Sequence, residues 1–280
     1  MPLIGSAELI EDTRGGIAAF NVITIEHAEG IVMGAERVNR PVILQISENA
    51  IKYHNGQLGP IAAATHAIAS EANVPVAMHL DHVTEPELWE VAPSHGFGSV
   101  MVDASKLSYE DNVAETARAV EFLNSRGLWV ESELGQVGGK EGETPLSAHD
   151  RNARTDPEEA ASYAYDTGVD ALAVAVGSSH AMTSRDAVLD HELIAEIRTE
   201  TNLPLVLHGS SGVPDDELVR AVRAGMKKIN IGTALNIAYS TAIQEHFQAY
   251  PGNVDPRKPL AAARRAIAQS VEHYLSVLAV

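Results

Sequence analysis

There is no cysteine in these 280 residues, so disulfides and thiolate metal sites are excluded. Any transition metal must be held by His, Asp or Glu. No apolar run reaches the roughly 20 residues needed to span a bilayer. The opening Met1-Pro-Leu-Ile-Gly-Ser-Ala-Glu8 lacks the basic start and apolar core of a signal peptide. The expected location is therefore cytoplasmic, with no membrane partner. Basic residues are scarce, 20 Lys and Arg against 38 Asp and Glu, which leaves a formal net charge of −18. Nucleic acid binding needs basic surface to displace counterions, so that class of partner is set aside. The same field repels anionic substrates at long range, and a phosphate site would have to be built locally from backbone amides. Linkers, internal repeats and low-complexity blocks are also missing, which points to one domain over residues 1–280.

What is present is an alternation of short β-rich runs with longer amphipathic ones. Strands are expected over Ile17–Val22, Val42–Ser47, Val76–Asp81, Ser99–Asp103, Leu128–Glu133, Ala171–Val176, Pro204–His208 and Lys228–Gly232. Helical patterns lie between them, near His27–Val38, Leu58–Ala72, Glu85–Ala92, Glu110–Asn124, Pro157–Asp166, His191–Glu200, Asp215–Ala224 and Leu235–His246. Asp156-Pro-Glu-Glu159 reads as an N-cap, a proline at the first helical position and acids in the first turn, and Pro214-Asp-Asp-Glu217 reads similarly. Eight strand-then-helix units in unbroken series predict a (β/α)8 TIM barrel. A doubly wound sheet would want fewer strands or a Gly-rich first turn, and no G-x-G-x-x-G follows the first strand. An additional C-terminal helix is expected over Leu260–Leu278, to close the barrel or mediate assembly. Gln136–Arg154, after the fifth strand, is the longest polar connection and has the length of a functional lid.

Barrels of this kind build their sites at the C-terminal ends of the strands. The polar residues fall there repeatedly. Val76-Ala-Met-His-Leu-Asp-His82 alternates Met78 and Leu80 with His79 and Asp81, and His82 falls where a loop should begin. Taken by itself, this strand end is equally an ion-paired aspartate beside a satisfied core histidine. The fourth strand ends in Asp103 and the fifth in Glu131-Ser-Glu133. The sixth runs into Val176-Gly-Ser-Ser-His180, the seventh into His208-Gly-Ser-Ser-Gly212, and the eighth carries Asn230-Ile-Gly-Thr233. His82, His180 and His208 would supply three imidazoles from three strands, the donor set of a catalytic zinc site with an open position, against the alternative of three unrelated core histidines. His79 would point into the barrel one layer deeper, as a structural hydrogen-bonding group. The loops after strands seven and eight are where barrels commonly hold phosphate.

The chain resembles the class II, metal-dependent ketose-bisphosphate aldolases. Ala19-Phe-Asn21, His79-Leu-Asp-His82, Glu131-Ser-Glu-Leu-Gly135, Gly138-Gly139, His208-Gly-Ser-Ser-Gly212, Lys228-Ile-Asn-Ile-Gly-Thr233 and Asp255-Pro-Arg-Lys258 carry the likeness in order over nearly the whole length. Its size and spacing suggest the branch holding the tagatose-bisphosphate and shorter fructose-bisphosphate enzymes. The resemblance implies reversible aldol cleavage of a ketose 1,6-bisphosphate to dihydroxyacetone phosphate and glyceraldehyde 3-phosphate through a zinc-stabilised enediolate. It implies His82, His180 and His208 as zinc ligands, with Asp103 and Glu133 near an alternative, more buried metal position; a monovalent cation is also compatible. Asp81 would act on the C4 hydroxyl and Glu141 would move the C3 proton. Gly209, Ser211, Asn230 and Thr233 match the dihydroxyacetone-phosphate cradle, with Gly232 beside them as a further substrate-binding candidate, and Asn21 and Ser47 stand to reach the second phosphate.

Two positions depart from the family pattern. Ala181 follows His180 where many members have glycine, and its methyl group would crowd a backbone contact to phosphate. Gly232 stands where fructose-specific members often carry an acid, which tilts the expectation towards tagatose-type or relaxed specificity. A homodimer or homotetramer is expected, with Arg257 and Arg264 in reach of a substrate phosphate across an interface. Four other readings remain at this point, the first a zinc-dependent aldolase for another phosphorylated ketose. A Schiff-base aldolase would need a desolvated lysine at a strand end, but Lys227 and Lys228 begin the eighth strand. A metal-dependent hydrolase would commonly carry His-x-His after the first strand, which here ends Phe20-Asn-Val22. A non-catalytic phosphosugar-binding protein would bind without turnover.

Overall fold

The computed structural model describes residues 3–135, 154–180 and 182–280. Eight parallel strands close into a barrel in sequence order, β1 against β2 through to β8 against β1. Each is short and rich in Val, Ile, Leu and Ala, as strands buried on both faces must be. The first half runs α1 (Ser6–Asp12), β1 (Ile17–Asn21), α2 (Ile25–Arg37), β2 (Val42–Ser47), α3 (Glu48–Tyr53), α4 (Leu58–Glu71), β3 (Val76–Val83), α5 (Pro86–Val91) and β4 (Ser99–Val102). It continues through α6 (Tyr109–Asn124), β5 (Trp129–Leu134), α7 (Pro157–Thr167), β6 (Ala171–Val174), α8 (His191–Thr201), β7 (Leu205–Leu207), α9 (Asp215–Ala224), β8 (Met226–Ile231), α10 (Thr233–Ala249) and α11 (Arg257–Val277). The TIM barrel and its extra C-terminal helix are thus as the sequence pattern predicts. Among the described residues, no helix is long and apolar enough to cross a membrane.

The period-2 alternation of each strand divides the apolar residues into two cores. Outward-facing Leu44, Met78, Leu80, Val100, Val130 and Leu172 pack under the helices. Inward-facing Ile17, Ala19, Ile43, Ala77, Trp129, Ala171 and Val206 fill the lower barrel, where Leu9 and Ile10 of α1 join them as a plug. Above that apolar floor the inward positions turn polar, with Gln45, His79, Ser99, Glu131 and Lys228 all at 1% exposure or less. The barrel is therefore a packed core below and a polar well above.

Local chemistry accounts for the helix boundaries. Asp156 caps α7, its carboxylate accepting from the Glu158 and Glu159 amides at 3.0 Å each, with Pro157 opening the helix. In α9, Pro214 occupies the cap position itself, and the acids Asp215, Asp216 and Glu217 fill the first turn. The C-terminal helix α11 lies tightly on α2. A Cβ added at Gly30 would stand 2.8 Å from the Arg264 carbonyl, and one at Gly34 would stand 2.5 Å from that of Ala268. Only glycine permits that approach.

Two departures from the sequence expectations are informative. The helices α1 and α3 are not foreshadowed by periodicity, being only 7 and 6 residues long. The third strand does not give way to a loop at His82 but continues to Val83 across an irregularity in its pairing with β4 between Leu80 and Val83. His82 takes a left-handed φ of 51° there. Consecutive strand residues normally face opposite sides. This bulge turns both Asp81 and His82 towards the mouth of the barrel.

Candidate active site

The C-terminal mouth opens into a cavity of about 1380 Å³. Its lining includes Asn21 from β1, Ser47 from β2, Asp81 and His82 from β3, Asp103 after β4 and His180 after β6. Gly209 and Ser211 after β7, and Asn230, Gly232 and Thr233 at the end of β8, complete it. Glu133 and His208 lie just beneath, at 1% and 0% exposure. Glu141 and its neighbours Gly138 and Gly139 lie outside the described residues, as do most of Gln136–Arg154 and Ala181.

Three imidazoles converge from three strand ends. The ring centroids are 5.0 Å apart for His82 and His180, 4.7 Å for His82 and His208, and 5.4 Å for His180 and His208. One donor atom from each, with a carboxylate oxygen of Glu133, falls in a group whose members lie within 4.8 Å of one another. A tetrahedral ion with bonds near 2.0–2.1 Å spaces its donors by about 3.3 Å, so a small inward shift closes this set on a metal. Nitrogen and carboxylate donors without thiolate suit zinc, and the residues present fit such an ion. His82 is oriented from behind, its Nδ1 2.8 Å from Asp103 Oδ2, and Asp103 in turn accepts from the Ser105 amide and hydroxyl. His208 sits between two acids, Nε2 at 3.1 Å from Glu131 Oε1 and Nδ1 at 3.0 Å from Glu133 Oε2. Burial works against its protonation, but those two carboxylates raise its pKa to about 9.

Asp81 is 2% exposed, and its Oδ1 has no hydrogen-bond partner among the described residues. Its Oδ2 is 3.4 Å from Gln45 Nε2, which also donates to Asn21 Oδ1 at 2.9 Å. Among the described residues, Gln45 Oε1 and Asn230 Oδ1 are likewise buried without a partner. Unsatisfied buried oxygens gathered around one well are what a polar ligand would complete. The β7 loop is drawn across the top by Ser211, whose Oγ accepts from the Ala234 amide at 3.0 Å, placing Gly209–Gly212 beside the first turn of α10. At Gly232 an added Cβ would lie 2.8 Å from Asn21 Oδ1. Ser47 caps α3, its Oγ accepting from Ala50 N at 3.2 Å.

The layer below is less legible in the sequence. Lys228 does not stay at the far end of the barrel, because it shares the inward face of β8 with Asn230 and its long side chain reaches up the axis. Its Nζ is 2.8 Å from Glu131 Oε2 and 3.4 Å from His79 Nε2. Burial disfavours the Glu131 carboxylate, but Lys228 and His208 outweigh it and hold the group well below the usual carboxylate range. Burial, then the Lys228 charge, push His79 down to about 3. The signal for these residues was in the alternation. Gln45 and Ser47, Glu131 and Glu133, and Lys228 and Asn230 are each two apart in otherwise apolar strands.

Residues 8–280 match the model of the class II fructose-bisphosphate aldolase family. The chain belongs to that family. It is an enzyme, a class II aldolase and so a carbon–carbon lyase; the family is metal-dependent and acts on phosphorylated sugars. It is 37% identical over 276 residues to a probable fructose-bisphosphate aldolase of Bacillus subtilis, covering 97% of this chain and 95% of that one. With a fructose-bisphosphate aldolase of Staphylococcus aureus the identity is 36% over 277 residues, covering 97% and 96%. Among solved structures, the YdjI aldolase of Escherichia coli K12 superposes with a TM-score of 0.80 at 31% identity, over 94% of this chain and 91% of that one. A putative fructose-1,6-bisphosphate aldolase of Coccidioides immitis gives 0.84 at 28% identity, over 98% and 95%.

Proposed function

We propose that this aldolase reversibly cleaves a ketose 1,6-bisphosphate, of fructose or tagatose type, to dihydroxyacetone phosphate and glyceraldehyde 3-phosphate, with residues 1–280 acting as one catalytic domain. The observation that carries the reading is the convergence of His82, His180 and His208 above a carboxylate, with Asp81 on the floor of the same cavity. His82, His180 and His208 would hold zinc, with Glu133 and Asp103 serving a second, more buried position. A bound divalent cation supplies positive charge opposite the oxygen that becomes negative as the C3–C4 bond breaks.

The remaining chemistry belongs to the side chains. Asp81 accepts the proton of the C4 hydroxyl, and the electrons of that O–H bond form the aldehyde carbonyl as the C3–C4 bond cleaves. Its near-complete burial, with no partner to Oδ1 among the described residues, supports that assignment. Glu141 returns a proton to C3, a role that rests on the family resemblance. Gly209, Ser211, Asn230, Gly232 and Thr233 cradle the dihydroxyacetone-phosphate end, where backbone amides near the start of α10 offset the repulsion of an acidic chain. Ser47 and Asn21, the latter standing against Gly232, line the same cavity and would meet the second phosphate. A Schiff-base route is disfavoured because Lys228 is fully buried and ion-paired to Glu131.

The acting form would be a cytoplasmic homodimer or homotetramer. In α10 only Leu235 is buried, while Ile237, Phe247 and the nearby Tyr250 and Val254 are exposed, which suits a subunit contact. Both arginines are ion-paired within their own chain, Arg257 to Asp255 and Arg264 to Glu29, and Arg257, 88% exposed against 36%, is the better reach to a neighbouring phosphate. Assaying fructose and tagatose 1,6-bisphosphates at equal zinc loading tests the substrate. Gly232 supports comparable turnover of both, and no release of triose phosphate from either would overturn the proposal.

A further inference from the structure

A chain of buried polar contacts descends from the candidate metal site through the middle of the barrel. His208 Nε2 lies 3.1 Å from Glu131 Oε1, and Glu131 Oε2 lies 2.8 Å from Lys228 Nζ. Lys228 Nζ is 3.4 Å from His79 Nε2, His79 Nδ1 is 2.7 Å from Ser99 Oγ, and Ser99 Oγ is 2.6 Å from Ser6 Oγ in α1. All of these residues have 0% exposure. The chain therefore links the lower plug of the barrel to the floor of its site without meeting solvent.

Hydrogen-bonding chemistry gives the upper links a single direction. An ionised carboxylate only accepts and an ammonium only donates. His208 must therefore carry hydrogen on Nε2 to reach Glu131. His79 must accept from Lys228 at Nε2, which leaves its Nδ1–H to donate to Ser99. A buried Lys–Glu pair is a poor source of stability, since well-packed apolar residues often serve as well or better. Its position suggests a different use, because each metal-ligating histidine needs its second nitrogen held by an acceptor.

We propose that Glu131, charge-balanced by Lys228, is a positioning residue that locks His208 as the Nε2–H tautomer and so presents Nδ1 to the metal. This rests on the reading of His208 as a ligand. The opposite side of the ring supports it: Nδ1 faces the Glu133 carboxylate at 3.0 Å, on the side where the other two imidazoles converge. His79, Ser99 and Ser6 extend the lock downwards by fixing where the Lys228 ammonium can sit. Glu131 thus acts on the metal through His208, and its carboxylate does not enter the donor cluster.

Zinc affinity by chelator competition tests the proposal without reference to turnover. The unaltered chain is measured first, and failure to bind zinc would overturn the metal reading and this one together. The double variant Glu131→Met with Lys228→Met removes acceptor and countercharge at once, so neither is left buried alone. It should keep its circular dichroism and lose about 10- to 100-fold in zinc affinity. Glu131→Gln with Lys228→Met restores a neutral acceptor and should recover most of that loss. Zinc binding by the unaltered chain with unchanged affinity in the Met/Met variant would overturn the positioning role alone. A second measurement is independent of variant folding. Long-range ¹H–¹⁵N correlation spectra of the zinc-loaded, ¹⁵N-histidine-labelled protein, with His208 assigned by its loss in His208→Gln, should show Nε2 protonated and Nδ1 metal-bound. Coordination through Nε2 would refute the proposal.

Discussion

Asp81 and His82 are neighbours in sequence yet line one cavity, because the bulge in β3 and the φ of 51° at His82 turn both side chains to the barrel mouth. The sequence carries this pair plainly, as polar residues closing an apolar strand, but not the bulge that makes their shared direction possible. Glu131, Gln45 and Lys228 were harder to read, since a polar residue one layer inside a strand looks the same whether it meets a partner or a void. Only the register of neighbouring strands, such as Gln45 beside His79 and His79 beside Ser99, shows that they meet. Asp81→Asn should lower kcat by about 10²- to 10⁴-fold with zinc content unchanged, because the proton acceptor is lost while the donor cluster is not. Metal analysis beside steady-state kinetics checks this, and undiminished kcat would remove Asp81 from the chemistry. Gly209 has a φ of 67°, and an added Cβ would stand 2.3 Å from the Ser179 carbonyl oxygen. Gly209→Ala should destabilise the fold by about 1 kcal/mol or more and weaken zinc binding by displacing the segment before His180. Chemical unfolding and chelator competition read the two effects, and loss of neither would contradict the contact.

At the scale of elements, the long amphipathic helices were legible from period and caps, and the short ones were not. A helix of 6 or 7 residues, like α3 or α1, carries too few turns for a period and forms because the barrel packs against it. The helix α2 holds a testable titration. His27 is buried within it, stacked on Tyr239 at a centroid distance of 4.6 Å, and burial lowers its pKa from 6.5 to about 4. The unfolded chain takes up this proton at higher pH than the folded one. The associated stability is therefore fully present above pH 6.5 and is lost as pH falls towards 4. The loss is on the order of 3 kcal/mol over that window. Urea unfolding between pH 7 and pH 4 should show His27→Gln with a flatter dependence by about one proton. Parallel curves for the two proteins would contradict this role.

For the whole molecule, the alternation of strand and helix specified the barrel because a parallel strand buried on both faces has few other homes. The proposed assembly draws little from the sequence, since an exposed apolar side chain in a helix pattern is common and carries meaning only once its neighbours in space are known. Ile237 and Phe247 are such a pair on α10. Replacing both with glutamate should shift sedimentation of the native protein towards a monomer. An unchanged sedimentation coefficient would count against the proposed subunit contact on α10. The central claim is that the three strand-end histidines make the enzyme a metal aldolase, and one titration addresses it. Exhaustive chelation should abolish cleavage of fructose 1,6-bisphosphate, and stoichiometric zinc should restore it in the unaltered chain but not in His208→Gln; full activity in verifiably metal-free protein would contradict the account.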